Sequence, residues 1–338
     1  NINLIFDTNL ELLELPFPLA LSFVTFQVIA FLIDAHDENV KKIDFKKFFL
    51  FVIFFPQLIA GPIVRYNHIV PQYNHENNSK INFNNISIGL ILILIGFLKK
   101  ILVADNLGHF VDIGYESPVT LSVIESWLIS ISFTFQIYFD FTGYVDMATG
   151  SAMLFNIRLP QNFNSPFKAN SLINFWQRWH MTLTSFLTNY IFNPSVKALK
   201  EVTFVKMMLI IIMVFIICGF WHGPSWMYGF FGLLHGLGLV VNHIFNKLFN
   251  FKLPKIFSWF LTFTYVNLTF IFFRTQNFDN AILVISKMFG LNKIGEGVFL
   301  TKEFYILIAL IIVCFIINSL FKNSYELFSK YLYFKGNN

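Results

Sequence analysis

The chain has 338 residues, 56% of them hydrophobic and 13% charged, with a formal net charge of +5. The charged share is about half that of an ordinary soluble domain, and the apolar residues gather into long runs, which excludes a soluble globular fold and points to a protein crossing a bilayer several times. No run of Lys and Arg is dense enough for nucleic acid, and neither a GxGxxG nor a P-loop sequence occurs.

The sequence opens at Asn1 with no basic stretch and no small-residue cleavage site behind it, and is expected to be part of a longer chain with a further membrane segment upstream. Candidate membrane segments are 17–33, 48–64, 86–98, 119–139, 207–220, 226–241, 256–273 and 304–321. Several fall short of the ~20 residues that a straight helix needs to cross the hydrocarbon, so something other than a simple bundle is expected. In FFPQLIAGPIVR, Pro56, Gly61 and Pro62 break one of these stretches. Non-helical backbone at that depth survives only where protein or a water-filled cavity satisfies it, so a kinked or re-entrant element lining a cavity is predicted. Cys218 and Cys314 both sit in apolar runs and read as inert thiols.

Residues 157–206 differ from the rest, carrying Arg158, Lys168, Arg178, Lys197, Lys200 and Lys206 against the single acid Glu201. Positive charge near membrane ends favours the cytoplasmic side. Within this stretch Phe175, Trp176, Trp179, Leu183 and Phe186 recur at roughly helical spacing, which suggests amphipathic helices at the lipid interface with tryptophans at headgroup depth.

Of eight histidines, His36, His68, His75, His109 and His243 lie in loops or near segment ends and read as ordinary solvated imidazoles. His222 stands in GFWHGPSW between two apolar segments, where an ionisable residue is costly enough to mark a functional site. Gly219, Gly223 and Pro224 break the helix there and leave room for a substrate; a buried imidazole bonded to a carbonyl across the break is the alternative. His180, in QRWH, is the second candidate, since imidazole titrates near working pH and can take a proton from a hydroxyl; an interfacial histidine on an amphipathic helix is its alternative. Trp176 and Arg178 beside His180, and Trp221 beside His222, are candidate substrate-binding or supporting residues. His235, in LLHGLG, reads as a hydrogen-bonding residue inside the bundle.

A third cluster lies in QIYFDFTGYVDMATG, where Gln136, Asp140, Thr142, Tyr144 and Asp146 interrupt an apolar segment. Two carboxylates there must be paired or hydrogen-bonded. Asp140 and Asp146 fall on different faces of a continuous helix, although Gly143 permits a bend. They could bind a cation, orient a histidine or fix packing, with orientation or packing preferred, and the histidines lack the HExxH spacing of a zinc site.

In order along the chain, LPFPLALSFVTFQVIAFLID, FFPQLIAGPIVR, FLKKILVADNL, YFDFTGYVDMATG, QNFNSPFKANSLINFWQRWHMTLTSFL and GFWHGPSWMYGFFGLLHG resemble the membrane-bound O-acyltransferases, with the core at 15–274 and further C-terminal helices at 275–338 of a single polytopic domain. The similarity is greatest to the bacterial members that acetylate alginate and peptidoglycan, and weaker to the one that passes D-alanine to teichoic acid. It implies an all-α ring of tilted and re-entrant helices around a central tunnel, in a bacterial inner membrane and in contact with its lipids. His222 would then be catalytic and His180 a second functional position. Acetyl-CoA would be the donor substrate with no bound cofactor, and an extracytoplasmic esterase-like partner would pass the acetyl group to a cell-surface glycan. Two departures stand out: the family's Arg-Asp after the RWH motif is replaced by Thr188 and Asn189, which removes an ion pair, and its Pro-x-Gly turn is replaced by Pro18, Leu19 and Ala20. A transporter would use similar short segments and buried polar groups but is expected to show paired half-chain repeats, which the sequence lacks.

Overall fold

The computed structural model describes residues 20–40, 43–73, 78, 80–249, 251, 253–293 and 295–332, and every regular element among them is helical. Pro18, Leu19 and His75 lie outside the described residues. The helices are α1 (Leu21–His36), α2 (Phe45–Ile53), α3 (Phe55–Leu58), α4 (Tyr66–Tyr73), α5 (Phe83–Leu98), α6 (Asp105–Glu116), α7 (Val123–Leu154), α8 (Leu172–Trp176), α9 (Met181–Phe186), α10 (Asn193–Lys197), α11 (Phe204–Trp221), α12 (Trp226–Leu248), α13 (Lys255–Arg274), α14 (Phe278–Met288), α15 (Thr301–Leu320), α16 (Ser324–Leu327) and α17 (Ser329–Leu332). Stretches 83–116, 204–221, 226–248, 255–274 and 301–327 are long and apolar enough to span a bilayer.

Short polar residues start these helices, because the first backbone N–H groups have no partner inside the helix. Asn82 accepts from Asn85 N, Thr203 from Lys206 N and Ser225 from Met227 N. At the start of α7 the Ser122 hydroxyl accepts from Glu125 N, and the Glu125 carboxylate accepts from Ser122 N, a reciprocal cap. Two segments differ from the sequence reading: the stretch 86–98 continues through a π-helical turn at Lys99–Ala104 into α6, and the stretch 119–139 continues to Leu154. FFPQLIAGPIVR, which follows α2, is broken as expected, into α3 and an irregular run before α4. Pro56 sits at the first turn of α3, where its missing N–H costs no helical bond.

Helix α7 runs through the centre, packed by α5, α6, α13, α14 and α15. Gly143 does not bend it, since α7 is continuous over 32 residues. Its role is close approach: a Cβ on Gly96 would collide with the Gly143 carbonyl oxygen, and one on Gly89 with Gly150 oxygen, so α5 and α7 touch through backbone. Gly219 and Gly232 do the same for α11 and α12.

These contacts run antiparallel and sort the connections to two ends. Gly89 meets Gly150 while Gly96 meets Gly143; Gly219 meets Tyr228 while Gly236 meets Ile212; Phe231 meets Phe270 while the Tyr265 hydroxyl donates to Leu234 O. One end therefore gathers the start of α5, residues 155–203, the α12–α13 connection and the chain after α15, with Lys80, Arg158, Lys168, Lys197, Lys200, Lys206, Lys255 and Lys322. The other gathers Glu116, Glu125, Asp279, Glu296 and Glu303, with Arg274, Lys287, Lys293 and Lys302 as its cations.

Candidate active site

A cavity of about 390 Å³ opens among α7, α8, α9, α11, α12 and α13, in the size range of small-molecule sites. His180 and His222 both line it, together with Trp176, Trp179, Trp221, Phe141, Phe231, Phe270 and Phe273. Ala60, from the broken FFPQLIAGPIVR stretch, lines it too, as that stretch was expected to do.

His222 is the residue on which α11 stops. Its backbone N–H donates to Gly219 O and that of Gly223 to Phe220 O, a tight terminus that leaves the imidazole at the helix break. The half-buried ring lies 4.8 Å from Trp221 and 5.0 Å from Phe273, centroid to centroid, and makes no hydrogen bond among the described residues.

His180 precedes α9 in a left-handed conformation, φ 46° and ψ 52°, which is costly for a residue with a Cβ and has to be held by its surroundings. It is 2% exposed, with Phe141 edge-on at 4.8 Å. Its Nδ1 lies 3.2 Å from Asn162 Oδ1, while its Nε2 is buried with no partner among the described residues. The Trp221 ring stands between the two histidines in contact distance of both, at 6.2 Å from His180.

The tryptophans expected at headgroup depth are inside the protein: Trp176 is 5% and Trp179 6% exposed. The helical spacing was genuine, but α8 and α9 are short and folded inward, so their apolar side meets the other helices instead of lipid. Trp176 Nε1 donates to His235 Nδ1 at 3.2 Å, so His235 Nε2 carries the proton and donates to Thr269 Oγ1 at 2.9 Å. Both nitrogens of His235 are thus occupied. It supports the Trp176 wall and does not line the cavity.

Arg178 also stays outside the cavity. Its Nε donates to Asn174 Oδ1 and its guanidinium to Asn164 O, tying the loop that carries Asn162 to α8. Gln136 packs against Gly108 of α6 and is not brought to the site. The two carboxylates part company, as their spacing on a continuous helix requires. Asp140 lines the cavity and pairs with Lys100 at 2.7 Å, while Lys100 also holds Asp105 at 2.8 Å. Asp146 faces a small polar pocket and pairs with Lys99 at 2.5 Å and the Ser324 hydroxyl at 2.6 Å. Neither carboxylate bonds a histidine. The π-helical turn lets two consecutive lysines reach the same helix. Among the described residues, no three His, Cys, Asp or Glu side chains converge as metal ligands would.

A sequence profile of the membrane-bound O-acyltransferases matches residues 32–277. The chain belongs to that family. Among curated relatives, a peptidoglycan O-acetyltransferase of Helicobacter pylori is 42% identical over 324 residues, covering 87% of this chain and 61% of that protein. A probable alginate O-acetylase of Azotobacter vinelandii is 31% identical, with 81% of this chain and 54% of that one aligned. A teichoic acid D-alanyltransferase of Bacillus subtilis is 26% identical, over 68% and 60%. The chain thus spans between half and two thirds of the length of these relatives. At the point where the motif departs from the family, Thr188 and Asn189 bond back to Thr184 O and Ser185 O, and the neighbouring Tyr190 donates to Asp34 at 2.8 Å with Arg65 over its ring.

Several site residues escaped the sequence reading. Trp179, Phe141, Phe231, Phe270 and Phe273 are lost among 46 phenylalanines and the apolar runs. Lys100 and Asn162 had a visible signal, a charge inside an apolar stretch and an asparagine in QNFNSPF, but nothing in their spacing pointed to a partner.

Proposed function

We propose that this protein is an O-acyltransferase that takes a short uncharged acyl group, acetyl in the first instance, from a cytoplasmic thioester donor such as acetyl-CoA and delivers it to a hydroxyl for O-acetylation of peptidoglycan or another cell-surface polysaccharide. The observation that carries this reading is two imidazoles with free ring nitrogens on one aromatic-walled cavity. A hydroxyl is a poor nucleophile until a base takes its proton. As the acceptor oxygen bonds to the thioester carbonyl carbon, its proton passes to His222. When the carbon–sulfur bond breaks, that proton moves to the departing sulfur, so an ester and a thiol leave and His222 is neutral again. The reacting hydroxyl has a single proton, which goes to His222; His180, through its unpartnered Nε2, accepts a hydrogen bond from a second polar hydrogen of the reactants and holds them in line.

The lining supports an uncharged acyl group. Among the described residues Asp140 is the single acid on the cavity wall and is already paired with Lys100, so an aminoacyl ammonium would be desolvated among aromatic rings with no free carboxylate from these residues. This favours acetyl over D-alanyl transfer. Charge supports the donor side: the positive-inside preference favours the cytoplasm for the end with Lys80, Lys197, Lys200, Lys206 and Lys255, with the inner membrane of a bacterium as the proposed setting. An esterase-like partner on the acidic side would then receive the acetyl group.

The test is transfer from radiolabelled acetyl-CoA by the purified protein to its partner or a hydroxyl surrogate, with D-alanyl thioester as competitor. Acetyl transfer that His222→Ala abolishes supports the reading. D-alanyl transfer without acetyl transfer would replace it.

A further inference from the structure

The Asn162 side chain does more than fill the loop between α7 and α8. Its Oδ1 lies 3.2 Å from Thr182 N, 2.8 Å from Thr182 Oγ1 and 3.2 Å from His180 Nδ1. A backbone N–H can only donate, so the amide atom facing Thr182 has to be the oxygen. The Thr182 hydroxyl receives a hydrogen bond from Ile63 N at 2.9 Å, which directs its own proton towards Asn162. Every hydrogen in this chain, from Ile63 through Thr182 to Asn162, therefore runs one way and ends on the amide oxygen. An oxygen that only accepts requires the proton of the third neighbour as well, so His180 carries its hydrogen on Nδ1 and a lone pair on Nε2.

We propose that Asn162 is the positioning residue of His180, fixing the tautomer that leaves Nε2 as an unpartnered acceptor. Its backbone contributes too. Asn162 O accepts from Met181 N at 2.8 Å, which clamps the residue after the left-handed His180. One residue thus sets both the backbone and the ring of the histidine. The source of the register is α4's flank, since Ile63 belongs to the broken stretch before it, so that break sends a hydrogen-bond direction into the site as well as lining it. The inference rests on the acyl-transfer reading for its kinetic consequence only; the tautomer can be read without turnover.

The experiment uses the purified protein with ¹⁵N-labelled histidine, His180→Gln serving to assign the His180 signals. Wild type is expected to show His180 as the Nδ1–H tautomer. Asn162→Ala is expected to lose that pattern and to lower kcat by about a hundredfold, as loss of a positioned acid–base group does, with KM for donor within about twofold. Asn162→Asp keeps the accepting oxygen and the shape, so it guards against a folding failure. It should keep the Nδ1–H pattern, recover most of kcat, and move the acid limb of the pH–rate profile to higher pH, because a carboxylate beside Nδ1–H favours the imidazolium. An Nε2–H tautomer in wild type, or a folded Asn162→Ala with kcat and pH profile close to wild type, overturns the proposal. If wild type transfers no acyl group yet shows the Nδ1–H tautomer and Asn162→Ala loses it, the functional reading fails and the positioning role stands.

Discussion

His180 and His222 face the same cavity from two different helix ends, one at the N-terminus of α9 and one at the C-terminus of α11, with the Trp221 ring 6.2 Å from the first and 4.8 Å from the second. The two have different attachments. His180 is tied at Nδ1, whereas the His222 ring is held by aromatic contact alone among the described residues.

That difference makes the histidines separable. His222→Ala should reduce acyl transfer by about 10²–10⁴-fold, the range for a positioned general base, with membrane insertion and melting close to wild type. His180→Ala should also impair transfer but less completely. Activity of His222→Ala above about a tenth of wild type, with donor still bound, would show that His222 is structural.

His235 should behave oppositely. His235→Ala leaves Trp176 Nε1 unpartnered in a buried position, at a cost of about 1–3 kcal/mol, while the Thr269 hydroxyl loses the bond from His235 but keeps its own to Val266 O. A fall in melting temperature in detergent is expected, with residual turnover in the fraction that stays folded. Wild-type stability with abolished turnover would place His235 in the chemistry.

The two lysine–aspartate pairs provide an internal comparison. Lys99 and Asp146 have side chains 20% and 12% exposed, so Asp146→Asn strands a largely buried ammonium, and a loss of about 3–5 kcal/mol is expected. Lys100 keeps Asp105 at 2.8 Å when Asp140 is neutralised, so Asp140→Asn should cost less than Asp146→Asn. Chemical denaturation of both variants in one detergent checks the ranking, and equal losses would contradict it.

Gly96→Ala should separate α5 from α7, because its methyl group meets the Gly143 backbone, which cannot turn aside as a side chain could. Overpacking of this kind costs about 1–3 kcal/mol. Gly108→Ala meets the end of the Gln136 side chain and should be milder. Thermal melts of the two variants in parallel measure the difference.

Lys168 is exposed at the basic end. On the proposed orientation, a cysteine placed there should react with a membrane-impermeant thiol reagent only after the membrane is opened. Labelling of intact spheroplasts would reverse the orientation and remove the cytoplasmic donor route.

The membrane class, most of the spans and the two histidines on the cavity were legible in the chain itself, because long apolar runs are costly in water and an imidazole between them is costly in lipid. The break at Gly219, His222, Gly223 and Pro224 was legible for the same reason: local backbone chemistry acts over a few residues and leaves its mark there. Periodicity misled at 172–186, where apolar residues at helical spacing fit lipid and protein interior equally well, and only the inward fold of α8 and α9 decides between them. Gly143 misled because one residue type serves both bends and close crossings, and what lies across from it is Gly96, remote in sequence. Which carboxylate meets which lysine depends on a π-helical turn that two adjacent lysines do not announce. The direction of the hydrogen bonds on His180 is set by Ile63, Asn162 and Thr182, residues that converge only when the chain is folded. A residue's cost in the membrane is a property of the residue and its neighbours in sequence; its partner is a property of the fold.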